Sequence, residues 1–363
     1  MPAPRLARLA QVLAQEGVQA ALLNAPITMD YMAGFAEGAH ERFLALAIHQ
    51  TGKVALICPA LSVNQAHRVG IEDVRGWRDG EDPYALLTQL FHEWNIGQGP
   101  VAVDDEYWAK HLLEMQQTAP RVAFVPAGKL VGQVLRQKDE EELALLRHAG
   151  GIVDAVWSDA AGWLGAGLSE VEVEQRIRAA VAEKGGIPTF CSVGSGPAGA
   201  EPHHLNDGRV LVPGDVVVLD FGAEYQGYQA DITRTFAVSH AGDDEQAVYQ
   251  TVYRAHMAAL SAARIGAIPA EVDAAARRII DEAGFGEFFV HRTGHGIGRR
   301  VHEAPDIAAY NHDPLRAGDC FSIEPGIYLP GRFGVRLENI ATAGPDGGIS
   351  LNAAISPDLP VIG

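Results

Sequence analysis

Cysteine is scarce in this sequence: Cys58, Cys191 and Cys320 are the only three in 363 residues. An odd number with no close pair argues against a disulfide framework and against a thiolate zinc site, and it fits a reducing compartment, expected to be the cytoplasm. Long apolar runs are missing too. The N-terminal stretch MPAPRLARLAQVLAQEGVQA spaces Leu6, Leu9 and Leu13 on one helical face without an extended apolar core, which argues against a signal peptide, and no stretch reaches membrane-spanning length. Basic residues are outnumbered, 28 Lys and Arg against 46 Asp and Glu, for a net charge of −18. A field of that sign repels nucleic acid and anionic lipid surfaces, so neither is an expected partner.

What is present is an ordinary globular composition, 47% hydrophobic and 20% charged. A chain of 363 residues exceeds what one core usually serves, so two domains are expected. Residues 1–129 read as an α/β unit, with a helix near residues 4–16 and apolar strands at 20–23, 43–48 and 53–58. After a boundary near residue 130, residues 130–363 read as a mixed α+β unit. Ser169 stands three residues before Glu172, a capping-box spacing, and the helix it opens closes on Gly185-Gly186. Further helices are expected at 243–264 and 270–283. Two β-rich segments, VVVLDFGAEYQGYQADITRTFAV and CFSIEPGIYLPGRFGVRLENIATA, each fold back as a hairpin.

The hairpins carry the chemistry. Asp220 and Asp231 have their midpoint near Tyr225 and Gln226, so the two carboxylates are expected roughly opposite one another, and facing residues come within about 5 Å at Cβ. Glu324 and Glu338 repeat the pattern about Gly331. One acid in a strand is usually an exposed position, but two opposed pairs among Val, Ile, Leu and Phe are costly to bury without a cation. The segment VHRTGHGIGRRVHEAP adds His291, His295 and His302 among glycines that permit close backbone approach. Alone this is weak, because the spacing does not match a helical HEXXH motif. With four carboxylates, one histidine completes an oxygen-rich donor set suited to two divalent ions, Mn²⁺ first, with Zn²⁺ or Co²⁺ as alternatives.

Asp220, Asp231, His295, Glu324 and Glu338, in that order and each within its own motif, resemble the five-ligand dinuclear site of the pita-bread metallopeptidases, which include methionine aminopeptidases, aminopeptidase P and prolidase. The resemblance spans about residues 130–350 and implies a pita-bread catalytic domain; the N-terminal α/β unit resembles the creatinase-like domain of the proline-specific branch. It implies hydrolysis of Xaa-Pro bonds in small peptides by a metal-activated hydroxide, prolidase first and aminopeptidase P as the alternative, in a homodimer. It also implies that Glu324 serves as both ligand and proton shuttle and that His203 and His302 hold the carbonyl oxygen and oxyanion. His291 falls on a supporting or substrate-contacting position, and Arg336 fixes a ligand carboxylate. Spacing favours His203 over its neighbour His204, which is then a loop histidine without a task. Asp306 departs from the pattern, since some dipeptidases carry an Arg there to grip the substrate carboxylate; either another base such as Arg332 or Arg299 takes that part, or longer peptides are accepted. A creatinase-type hydrolase or an inactive peptidase-like binding protein would be expected to show broken ligands, and the set of five is intact.

Overall fold

A computed structural model describes residues 2–38 and 40–363. The chain divides into two compact units, Met1–Val134 and Leu135–Gly363. The first contains helices α1 (Pro2–Gln15), α2 (Pro26–Ala33), α3 (Val63–Arg68), α4 (Pro83–Glu93) and α5 (Ala109–Thr118). Its strands are β1 (Ala20–Leu23), β2 (Ala45–His49), β3 (Val54–Pro59), β4 (Val74–Trp77), β5 (Pro100–Val103) and β6 (Ala123–Pro126), and α6 (Gly128–Leu135) spans the division. The strands form one sheet in the order β4-β3-β2-β1-β5-β6. β1 and β2 are buried along their whole length because helices must cover a sheet whose strands read as continuous apolar runs.

The second unit begins with α7 (Glu140–Ala160) and α8 (Glu170–Glu183), opened by reciprocal capping boxes, Asp139 with Glu142 and Ser169 with Glu172. Strands β7 (Ile187–Ser195), β8 (Val216–Tyr225) and β9 (Tyr228–Val238) follow, then α9 (Asp243–Ala262) and α10 (Pro269–Glu282). The remaining strands are β10 (Gly294–Gly296), β11 (Glu303–Ile307), β12 (Cys320–Ile323), β13 (Gly326–Leu329), β14 (Phe333–Arg336), β15 (Asn339–Ala343), β16 (Gly348–Ser350) and β17 (Val361–Ile362). They assemble as a sheet β17-β9-β8-β7, a sheet β11-β10-β12-β15-β16 and the pair β13-β14. Each larger sheet is packed by a pair of helices. Leu146, Val153 and Val156 of α7 and Ile177 of α8 meet Leu219, Phe221 and Ile232, while Val252 of α9 and Val272 of α10 meet Phe321 and Ile323.

Two details fix the chain near the site. Gln226 and Gly227 both have positive φ, the two-residue turn that matches strand twist in a hairpin. Gly294 flanks His295 because a Cβ there would lie 1.9 Å from the Ser322 carbonyl oxygen. Nearby, Lys138 donates to Glu303, with side chains only 1% and 4% exposed. Lys138→Met should cost about 3–5 kcal/mol, because it strands a buried carboxylate, whereas Lys138→Met with Glu303→Leu should recover most of that loss. Urea unfolding of the two variants checks this; equal losses would contradict it.

Candidate metal centre

The β8–β9 register pairs Asp220 with Thr233 and Gly222 with Asp231. The two aspartates, expected roughly opposite one another, are thus offset by two residues in register. The turn sits at Gln226-Gly227, one residue further on than the midpoint reading assumed, so the carboxylates are diagonal neighbours on one face. Leu219, Phe221, Ala230 and Ile232 occupy the alternate positions and are fully buried in the core. In the second hairpin one register runs through both ladders, from Cys320↔Thr342 and Ile323↔Asn339 to Gly326↔Arg336 and Leu329↔Phe333. Glu324 and Glu338 lie opposite one another in the gap between the ladders, where Pro325 has no N–H to donate. The two hairpins join at Thr233, whose carbonyl accepts from the Glu338 N–H at 3.1 Å and whose hydroxyl donates to Glu338 Oε2 at 2.7 Å.

One ligand atom each from Asp231, His295 and Glu338 lies within 4.8 Å of the others. His295 Nε2 is 3.7 Å from Asp231 Oδ2 and 3.3 Å from Glu324 Oε1. Its Nδ1–H donates to the Gly296 carbonyl, which fixes the tautomer and leaves Nε2 with its lone pair. Burial holds this imidazole at a pKa of about 4, neutral as a ligand must be. Arg336 donates to Asp220 Oδ2 at 2.7 Å, to the Tyr328 hydroxyl at 2.9 Å and to Thr233 Oγ1 at 3.0 Å. Tyr328 in turn donates to His291 Nε2 at 2.8 Å, and His291 Nδ1–H is spent on the Arg292 carbonyl. His291 thus belongs to a hydrogen-bonded chain behind the acids.

Four carboxylates meet here with Arg336 as their buried cationic partner. Burial first, and then neighbouring carboxylates, push Asp231 and Glu338 well above the ordinary carboxylate range; burial also raises Glu324. Buried Asp220 Oδ1, Asp231 Oδ1 and Glu338 Oε1 have no hydrogen-bond partner among the described residues. Asp220 and Glu338 each have one oxygen held by the protein and the other unmatched, an arrangement a bound cation satisfies and an apolar core does not. These residues fit divalent metal.

The acids open onto a cavity of about 790 Å³ that His203, His291 and His302 also line. His203 and His302 are exposed imidazoles; the His302 ring stands edge-on to His295 at 4.1 Å between centroids. His204 is not idle, contrary to the sequence reading. Its Nε2–H donates to fully buried Glu170, which also accepts from the Ser195 hydroxyl and backbone N–H and from the Asp207 N–H. Arg332 and Arg299 are corrected as well: Arg332 pairs with Asp244 near the exposed β13–β14 turn, and Arg299 lies over the Tyr228 ring; neither lines the cavity. Arg178 and Arg292 do. Thr233 and Tyr328 were missed, although Thr233 sits two residues from Asp231 on the same strand face, a signal the sequence carried.

Residues 144–343 match the model of metallopeptidase family M24, and residues 5–136 match that of the creatinase/prolidase N-terminal domain. A probable dipeptidase PepE of Mycobacterium tuberculosis is 40% identical over 96% of this chain and 94% of its own length. An Xaa-Pro dipeptidase of Lactobacillus helveticus is 32% identical over 94% of this chain and 95% of its own. The crystal structure of a prolidase from Thermococcus sibiricus superposes with a TM-score of 0.92 at 32% identity, covering 100% of this chain and 99% of that one. With those matches and the acid cluster at its centre, the chain belongs to metallopeptidase family M24 and carries a creatinase/prolidase-type N-terminal domain.

Proposed function

We propose that this metallopeptidase hydrolyses Xaa-Pro dipeptides, with Asp220, Asp231, His295, Glu324 and Glu338 holding two divalent ions. The observation that carries the reading is the set of unmatched buried oxygens on Asp220, Asp231 and Glu338 beside the neutral His295. The dipeptidase and prolidase relatives support the substrate class. Bound there, the ions would supply Lewis-acid polarisation and lower the pKa of water.

The protein's own groups do the rest. Glu324 is partly exposed to the cavity and accepts from Ser322 Oγ at its Oε1, so its carboxyl is the group placed to carry a proton from water to the leaving proline nitrogen. His302 and His203 present imidazole N–H groups to the cavity, where they would donate to the scissile carbonyl oxygen as charge develops on it. Arg336 holds Asp220 in place. An oxygen-rich donor set favours Mn²⁺ over softer-site metals. The three buried free cysteines suit a reducing cytoplasm, and a homodimer completes the reading.

Turnover with added Mn²⁺ of an Xaa-Pro dipeptide, an Xaa-Pro-Yaa tripeptide and a Met-Ala peptide tests it. The dipeptide should be cleaved with the tripeptide and Met-Ala at least about tenfold poorer in kcat/KM. Preference for the tripeptide would make the enzyme an aminopeptidase P, and silence on all three with metal bound would end the proposal.

A further inference from the structure

Asp306 stands where a carboxylate-gripping base was expected, and its surroundings say what replaces that base. Arg292 Nη1 donates to Asp306 Oδ1 at 2.7 Å, and the Tyr310 hydroxyl donates to Asp306 Oδ2 at 2.7 Å. The Arg292 and Asp306 side chains are each about one-third exposed, at 31% and 32%. Three guanidiniums line the cavity. Arg336 is spent on Asp220, Tyr328 and Thr233. Arg178 is drawn to Glu174 and the Thr189 carbonyl. Arg292 is held by Asp306 and Tyr310, and a guanidinium has five donors in a planar fork, more than those two partners take up.

Position favours Arg292 as well. In a dipeptide the terminal carboxylate lies one residue, about 4 Å, beyond the scissile carbonyl. A cation that reads it must stand beside the histidines that handle that carbonyl. Arg292 lies between His291 and His295 on the chain entering β10, and its guanidinium meets Asp306 on the paired strand β11, which follows directly on His302, whereas Arg178 is held to Glu174 of its own helix and to Thr189 of β7. A substrate carboxylate entering a cavity lined by five acids also needs a local positive charge to be tolerated.

We propose that Arg292, positioned by Asp306 and Tyr310, receives the C-terminal carboxylate of the substrate and thereby restricts the enzyme to dipeptides; this rests on the dipeptidase reading above. The experiment compares an Xaa-Pro dipeptide with its C-terminal amide, in the metal-loaded wild type and in Arg292→Ala, Arg292→Lys, Arg178→Ala and Asp306→Ala, alongside competitive inhibition by proline and prolinamide. The wild type should prefer the free acid by roughly 10- to 100-fold in kcat/KM, the worth of a charge-assisted hydrogen-bonded pair. Arg292→Ala should bring that ratio to about one, chiefly through KM, and erase the preference for proline over prolinamide. Arg292→Lys should keep part of the ratio, since it keeps the charge without the fork, and it decides the matter if Arg292→Ala does not fold. Asp306→Ala should raise KM for the acid with kcat nearly kept.

A ratio unchanged in the Arg292 variants, or lost in Arg178→Ala instead, overturns the assignment while the dipeptidase reading stands. A wild type that cleaves no dipeptide removes both.

Discussion

Asp231→Asn should lower kcat/KM for the dipeptide by about a thousandfold or more while making the metal-free protein more stable. The catalytic loss follows from removing one of the charged oxygens that would hold the ions, whose Lewis-acid contribution is worth several kcal/mol. The gain in stability follows from the same burial that makes the site reactive. Asp231 is 5% exposed among Glu338, Asp220 and Glu324, and burial together with those neighbours raises its pKa. An amide removes a charge that is costly to bury, a gain of about 1–3 kcal/mol. The pH dependence has a definite sign. Asp231 and Glu338 titrate near 4 when unfolded and higher when folded, so the metal-free native state binds more protons above pH 4 and loses stability as pH rises. Divalent metal should offset this loss, because it binds the deprotonated ligands. Unfolding midpoints of wild type and Asp231→Asn across pH, with and without Mn²⁺, give the answer; a variant less stable than wild type without metal would show that Asp231 is not a strained carboxylate.

Arg336→Met should destabilise the metal-free protein by about 3–5 kcal/mol and the metal-loaded protein by clearly less. Arg336 is the buried cation among the four acids, and without it Asp220 loses its 2.7 Å donor. A bound cation would take over the compensation, so the two losses should differ. By linkage the variant should then bind metal at least as tightly as wild type, while activity should fall by roughly 10- to 100-fold because Asp220 loses the group that orients it. Urea unfolding in the two states, with metal titration, measures both. Equal destabilisation with and without metal would mean that the arginine contributes packing alone.

The helices and strands were readable because their signals are local. Ser169 with Glu172 gives a cap within one turn, and Leu219, Phe221, Ala230 and Ile232 alternate with the acids at strand period. The second hairpin was legible to the residue, since Glu324 and Glu338 share one register on either side of Gly331. The first was read one turn residue short, because the sequence YQGY does not say which two residues form the turn until their φ angles are known. Partners distant along the chain were out of reach. His204 looked idle beside His203 because its partner Glu170 is 34 residues away. Asp306 looked unmatched because Arg292 sits 14 residues earlier, across an antiparallel pair. Spacing identifies residues that share a strand face; it does not identify side chains that meet across a fold.

The bond between Thr233 and Glu338 spans 105 residues, and it has a kinetic meaning. Neither hairpin alone assembles the five proposed donors: the first brings Asp220 and Asp231, the second Glu324 and Glu338, and His295 lies between them in sequence. A folding chain must close that long loop before a cation finds its full coordination. Metal held by the proposed donors would therefore stabilise contacts that are complete only once this loop has closed. Divalent ions are expected to leave the refolding rate nearly unchanged and to slow unfolding, so that the loaded enzyme resists proteolysis mainly by opening rarely.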